Sequence, residues 1–129
     1  MITEDYVSYE TSQLLKSKGF DELCYACYEY FKSGVTMYSG WLFEYKGEPV
    51  HNTNDRVKCP TLQMAMKWLR NEKNIHIKVH CSGNRNYLVY AQSLVTAFPD
   101  FCIESATCSF NSSEEACEAA IKYCLENLI

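Results

Sequence analysis

Hydrophobic positions change their period once in the middle of the chain, and the change divides a helix from a strand. From Leu62 onward, Leu62, Met64, Ala65, Met66, Trp68 and Leu69 fall within an arc of roughly 200° when wound at about 100° per residue. Gln63, Lys67, Arg70 and Asn71 share the remaining arc. The helix is expected to start at Pro60 or Thr61, because proline suits the first helical position. Its apolar arc is wider than that of a simple surface helix, so it is either sandwiched or presents Met64 and Trp68 to a partner. Directly afterwards Ile75, Ile77, Val79 and Cys81 alternate with His76, Lys78 and His80, the period of a half-buried strand.

The flanking segments are read the same way. A short helix is expected from about Tyr9 to Lys18, with Ser8 as N-cap and Gly19 as its left-handed stop, onto which Phe20 folds back. Two strands are expected over 23–31 and 35–45, separated by a turn at Lys32-Ser33-Gly34, with Met37, Trp41 and Phe43 on one face. The polar segment 48–58 is expected to be mostly loop, with room for a short third strand. Tyr87 to Thr96 and Phe101 to Phe110 read as two more strands, broken by Phe98-Pro99-Asp100. The last helix is announced by Ser112 as N-cap with Glu115 closing a capping box. Cys117 and Cys124, seven apart, share its inward face. The order is α-ββ(β)-α-βββ-α: an α+β domain over residues 1–129, a mostly antiparallel sheet packed by two longer helices, with a short N-terminal helix. Ala65-Met66-Lys67-Trp68 and Ala120-Ile121-Lys122-Tyr123 match loosely and hint at a tandem β-β-(β)-α duplication.

Composition narrows the function class. A chain of 129 residues with 47% hydrophobic and 22% charged residues is one ordinary domain. Its net charge of −4 argues against nucleic acid, which would require a basic face. No apolar run approaches the roughly 20 residues of a membrane span, and Met1–Asp5 is acidic and polar rather than a secretory signal. The expected address is the cytoplasm, where the eight cysteines stay reduced and act mostly as small buried hydrophobes.

Three constellations are candidates for chemistry. Cys24-x-x-Cys27 could supply half of a tetrahedral zinc site, completed by Cys59, His76, His80 or Cys81 if the fold gathers them. A redox role fits poorly, since such pairs usually open a helix. His76 and His80 lie about 13 Å apart on one strand, too far to share an ion. The aromatic set on predicted strands is the third: Tyr25, Tyr28, Tyr30, Tyr38, Trp41, Tyr45, Tyr87 and Tyr90. Aromatic surfaces with few cations suit protein contact better than base stacking. Phosphate loops, nucleophile elbows and His-Glu-x-x-His motifs are missing, so no cofactor is expected.

The run 60–70 followed by Asn74-Ile75-His76-Ile77 resembles a motif in small uncharacterised proteins of gut Bacteroides-type bacteria and their phages or mobile elements. Tyr6–Glu10, Lys18–Glu22 and Ala116–Leu125 are similar to that group too. The resemblance implies no activity and no catalytic residues. Phe98-Pro99-Asp100-Phe101 and the helix after Ser112 also resemble the strand-to-helix part of HicB-type antitoxins, without their basic tail or the glycine of their turn. Together these lead to an expected non-catalytic, protein-binding accessory factor of a phage or mobile element, with Trp68, Met64, Tyr28 and Tyr30 as surface candidates. The alternatives are a metal- or thiol-dependent enzyme using Cys24, Cys27 and His80, or an antitoxin-like partner of a toxin. Wide apolar helix faces also leave room for a homodimer.

Overall fold

The structure, a computed structural model, describes residues 5–29, 32–33, 36–37, 41–84, 86–95, 101–103 and 110–129. Its elements run α1 (Tyr9–Ser17), β1 (Ala26–Glu29), β2 (Lys32–Ser33), β3 (Thr36–Met37), β4 (Trp41–Glu44), β5 (Arg56–Lys58), α2 (Leu62–Lys73), β6 (Ile75–Cys81), β7 (Tyr87–Ser93), β8 (Phe101–Ile103) and α3 (Ser113–Asn127). This is the expected α+β order.

All three helices start on hydroxyl caps. The side chains of Ser8, Thr61 and Ser112 accept from the backbone N–H of Thr11, Met64 and Glu115 respectively, each satisfying an N–H left over in the first turn. Pro60 therefore precedes the cap of α2 rather than opening the helix, and its carbonyl instead accepts the Val7 N–H at 3.1 Å. Gly19 takes φ +91°, which lets the Phe20 N–H reach back to the Leu15 carbonyl at 3.0 Å. Asn74 closes α2 in the left-handed region at φ +57°. This tight stop explains why β6 begins one residue later.

Among the described residues the strands divide into two three-stranded antiparallel sheets and a two-stranded ribbon, rather than one sheet. In the first sheet β1 lies between β4 and β5, with Cys27 opposite Phe43 on one side and Lys58 on the other. In the second, β7 lies between β6 and β8, with Val79 opposite Val89 and Tyr90 opposite Cys102. The two strand orders differ. Among the described residues the earliest strand is central in the first sheet and the middle strand is central in the second.

Several boundaries moved. Lys32-Ser33 pairs with Thr36-Met37 as a ribbon instead of forming only a turn; of the strand expected over 35–45, residues 36–37 and 41–44 are strand, and 35 and 38–40 lie outside the described residues. Residues 56–58 make the third strand of the first sheet. Of the strand expected over Phe101 to Phe110, Phe101–Ile103 forms β8 and Phe110 makes a bridge to Tyr87, while 104–109 lie outside the described residues. Gly34, Phe98-Pro99-Asp100 and the candidate Tyr30 lie outside the described residues, as do the side chains of Met37 and Trp41.

Helix α3 lies across all three strands of the second sheet, α2 packs on β6 and α3, and α1 joins α3 to β5. The core between them contains Leu15, Leu69, Val89, Ile121 and Leu125 together with Cys24, Cys27, Cys59, Cys117 and Cys124. The small cysteine side chains let these layers approach closely: Cys24, Cys27 and Cys59 lie on or beside the first sheet, and Cys117 and Cys124 lie on α3, where larger residues would force the layers apart. Among the described residues, no helix is long and apolar enough to cross a membrane.

Candidate functional site

A groove of about 640 Å³ opens between α2 and the segment that joins α1 to β1. Its position follows from the width of the apolar arc on α2. Ala65 and Leu69 are fully buried, whereas Met64 is only partly covered. Trp68 forms part of the groove lining but is held in the core, with 6% of its surface exposed. Its ring makes an edge contact with Phe20 at 5.5 Å and 71°, and the Lys73 ammonium lies 5.5 Å from its centre. Leu23 forms the opposite wall and is 59% exposed. Glu22, Thr61, Gln63, Lys67, Asn71 and Glu72 complete the lining with polar groups, charged ones of both signs.

The wall carrying Leu23 is fixed from below by a buried cation. Lys58, on β5, is 6% exposed, and its ammonium donates to Asp21 Oδ1 at 3.0 Å and to the Glu22 carbonyl at 3.1 Å. The Cys24 thiol donates to the same Glu22 carbonyl at 3.6 Å and lies 4.0 Å from the Met64 sulfur. Both groove walls thus rest on a common set of contacts. Neither Leu23 nor Lys58 was singled out by periodicity. Leu23 falls in a segment read as strand, and a lone lysine between Val57 and Cys59 carries no pattern of its own.

The other sequence candidates separate. Cys24 and Cys27 are both buried in the core, Cys24 just before β1 and Cys27 within it. Burial pushes the Cys24 thiol up to about 11, against a smaller downward pull from the Lys58 ammonium. Burial likewise raises Cys27, helped by the Glu29 carboxylate. A nucleophilic or metal-binding thiol needs the opposite shift. His80 is exposed at the far end of β6, in the other sheet. Among the described residues no group of three His, Cys, Asp or Glu side chains is placed to hold a metal ion. His76 and Lys78 share the outer face of β6 with His80, and Lys78, His80 and Tyr90 border a shallow hollow there.

Tyr28 turns inward rather than outward. Its hydroxyl donates to the Val7 carbonyl at 2.8 Å, and its ring meets Tyr9 edge-on at 5.7 Å. Burial and the neighbouring Cys59 thiol raise its pKa. It is a half-buried tie between β1 and the segment before α1, and it does not line the groove. Of the four surface candidates, the structure brings Met64 and Trp68 together and sets Tyr28 apart. Among the described residues the buried free cysteines are Cys24, Cys27, Cys59, Cys117 and Cys124, while Cys81 is free and exposed.

No protein-family model matches this chain, and no curated protein or solved structure matches it either.

Proposed function

We propose that this protein is a non-catalytic binding factor that takes a segment of another protein into the groove beside Met64 and Trp68. The observation that carries this reading is the composition of the groove: a rigid, packed tryptophan beside a flexible methionine, faced by an exposed leucine and rimmed by polar side chains. Interfaces gain most of their energy from an apolar anchor in a desolvated pocket surrounded by a polar rim. Methionine adapts to the shape that enters. The occupant that fits is a segment offering one aliphatic or aromatic anchor flanked by hydrogen-bonding side chains, able to pair with Glu22 and Glu72 on one hand and Lys67 on the other.

The resemblance of the two chain ends and the α2 region to small proteins of gut bacterial mobile elements supports an accessory role in a phage or mobile element, acting in the cytoplasm. A toxin partner is a special case of the same reading. A thiol or metal enzyme built on Cys24, Cys27 and His80 draws no support from a geometry that buries the first two as protonated thiols and puts the third on another sheet.

A photo-crosslinking residue at Gln63, on the groove rim, tests the proposal against the same residue at the exposed Asp55. The expected result is one dominant protein adduct from position 63, absent from position 55 and lost when Leu23→Asp is added. A self-adduct at position 63 would identify a second copy of the chain as the occupant. Identical adducts from both positions, or none from position 63, would overturn the groove as the binding surface.

A further inference from the structure

Tyr6, Tyr25 and Tyr45 are distant in sequence but meet at one surface notch of about 470 Å³, which Glu44, Lys46 and Gly47 complete. The fold explains the meeting. The Tyr45 N–H donates to the Tyr25 carbonyl at 2.7 Å, extending the β1–β4 ladder one pair beyond Ala26 and Glu44. Residues directly opposite across an antiparallel pair set their side chains on one face, within contact distance. Tyr6 is brought alongside by its bridge to Thr61, just before α2. Tyr25 remains 49% exposed, an unusual position for a ring with no structural need to face water.

The notch is chemically suited to positive charge. Aromatic faces carry negative potential and attract cations. The ring of Tyr45 already meets one cation: the Arg56 guanidinium carbon lies 5.4 Å from its centre, with Arg56 Nε also 3.0 Å from Glu29 Oε1. The Tyr45 hydroxyl donates to Glu29 Oε1 at 2.5 Å. A phenol that hydrogen-bonds to a carboxylate carries more electron density in its ring, which strengthens that attraction. Glu44 adds a carboxylate to the lining itself.

We propose that this notch binds a quaternary or methylated ammonium group. Such a cation is large, weakly hydrated and unable to donate strong hydrogen bonds, so ring faces satisfy it better than water-seeking oxygens do. A primary ammonium would instead keep its water. Both a free small molecule of the choline type and a trimethylated lysine side chain carry this chemistry. Lys46 is the opposing charge in the lining, and its removal strengthens binding.

Tetramethylammonium is the probe, followed through the tyrosine ring signals by NMR. Saturable shifts are expected with it and with choline, and not with 3,3-dimethyl-1-butanol, the neutral isostere of choline. Tyr25→Leu is expected to weaken binding by about fivefold, the scale of one exposed ring, while Tyr25→Phe keeps the affinity. Lys46→Ala is expected to tighten it by about twofold, as one exposed like charge is removed. A trimethyllysine peptide binding tighter than choline would point to a modified protein as the source, and the reverse order to a small molecule. An equal response to the neutral alcohol, no saturable shift in the unaltered protein, or unchanged affinity in Tyr25→Leu would overturn the proposal.

Discussion

The Thr11 hydroxyl on α1 donates a 2.6 Å hydrogen bond to Glu118 Oε1 on α3, across 107 positions of sequence. The same carboxylate oxygen accepts the Ser8 N–H at 3.2 Å. An anion from the last helix therefore sits at the N-terminus of the first, where the helix dipole favours it. A Lys122–Glu10 ion pair at 2.7 Å and, at the other end of the two helices, a Lys18–Ile129 carbonyl contact at 2.9 Å also join them. The ion pair is exposed and contributes little. The Glu118 contact is the one shielded from water, because Thr11 is fully buried.

Glu118→Ala should therefore destabilise the protein by about 2 kcal/mol, a charged hydrogen bond lost together with a helix cap. Glu118→Gln should cost less, since its amide oxygen can accept the same two donors. Urea unfolding of the three proteins checks this. A loss below about 0.5 kcal/mol for Glu118→Ala, the range of neutral surface changes, would show that the chain ends are held by packing alone.

Trp68 and Leu23 should separate folding from binding. Trp68 is packed against Phe20 inside the core, so Trp68→Ala is expected to cost about 3–5 kcal/mol of stability, as large-to-small core changes do. Leu23 faces water, and Leu23→Ser should leave stability within about 0.5 kcal/mol. The same substitution should weaken partner binding by about 1–2 kcal/mol, the loss of one interface anchor. Unfolding curves and titration with the crosslinked partner measure both. Unchanged affinity in Leu23→Ser would remove that wall from the interface.

How much of this was legible in sequence depended on where periodicity ruled. Ile75 to Cys81 alternates over seven residues, and the strand appears with those same ends because a buried face fixes register. Ser8 and Ser112 were readable as caps because the hydroxyl makes a local bond. The first sheet was harder. Its strands are three or four residues long among the described residues, too short for a period to show, and the central place of β1 depends on distant partners at 41–44 and 56–58. The groove inherits both outcomes. Met64 and Trp68 followed from the wide arc of α2, whereas Leu23 and the Lys58 support arise from chain crossings that no local pattern encodes.

Lys58 and Asp21 form an ion pair whose two members should behave unequally. The Asp21 side chain is 89% exposed and that of Lys58 only 7%. Asp21→Asn should cost less than about 1 kcal/mol, as exposed partners do. Lys58→Ala should cost about 2 kcal/mol or more, because it leaves a gap beneath residues 21–24 and removes a donor from the Glu22 carbonyl. Lys58→Met, which keeps the stem, should recover part of that stability. Thermal unfolding of the three variants gives the ranking, and equal costs for Asp21→Asn and Lys58→Ala would show that the charge pair, not the buried stem, supports the wall.

The buried thiols predict an alkaline weakness. Burial raises Cys24 to about 11 and Cys59 and Cys124 to about 12, from an ordinary value of 9.0. In each case the native state holds its proton more tightly than the unfolded chain. Their contribution to stability is therefore complete below pH 9, where both states are protonated, and is lost as pH rises toward 11–12. Between those limits each thiol can lower stability by up to about 1.4 kcal/mol per pH unit. Cys124 is the cleanest case, because burial alone shifts it. Cys124→Ala lowers stability at neutral pH through the space it leaves, but its stability should fall less steeply between about pH 9.5 and 11, by a difference approaching one proton per molecule. Denaturant unfolding of both proteins across that range measures the slopes. Parallel slopes would mean that the Cys124 thiol ionises in the native state as freely as in the unfolded chain, and that its site is open to water.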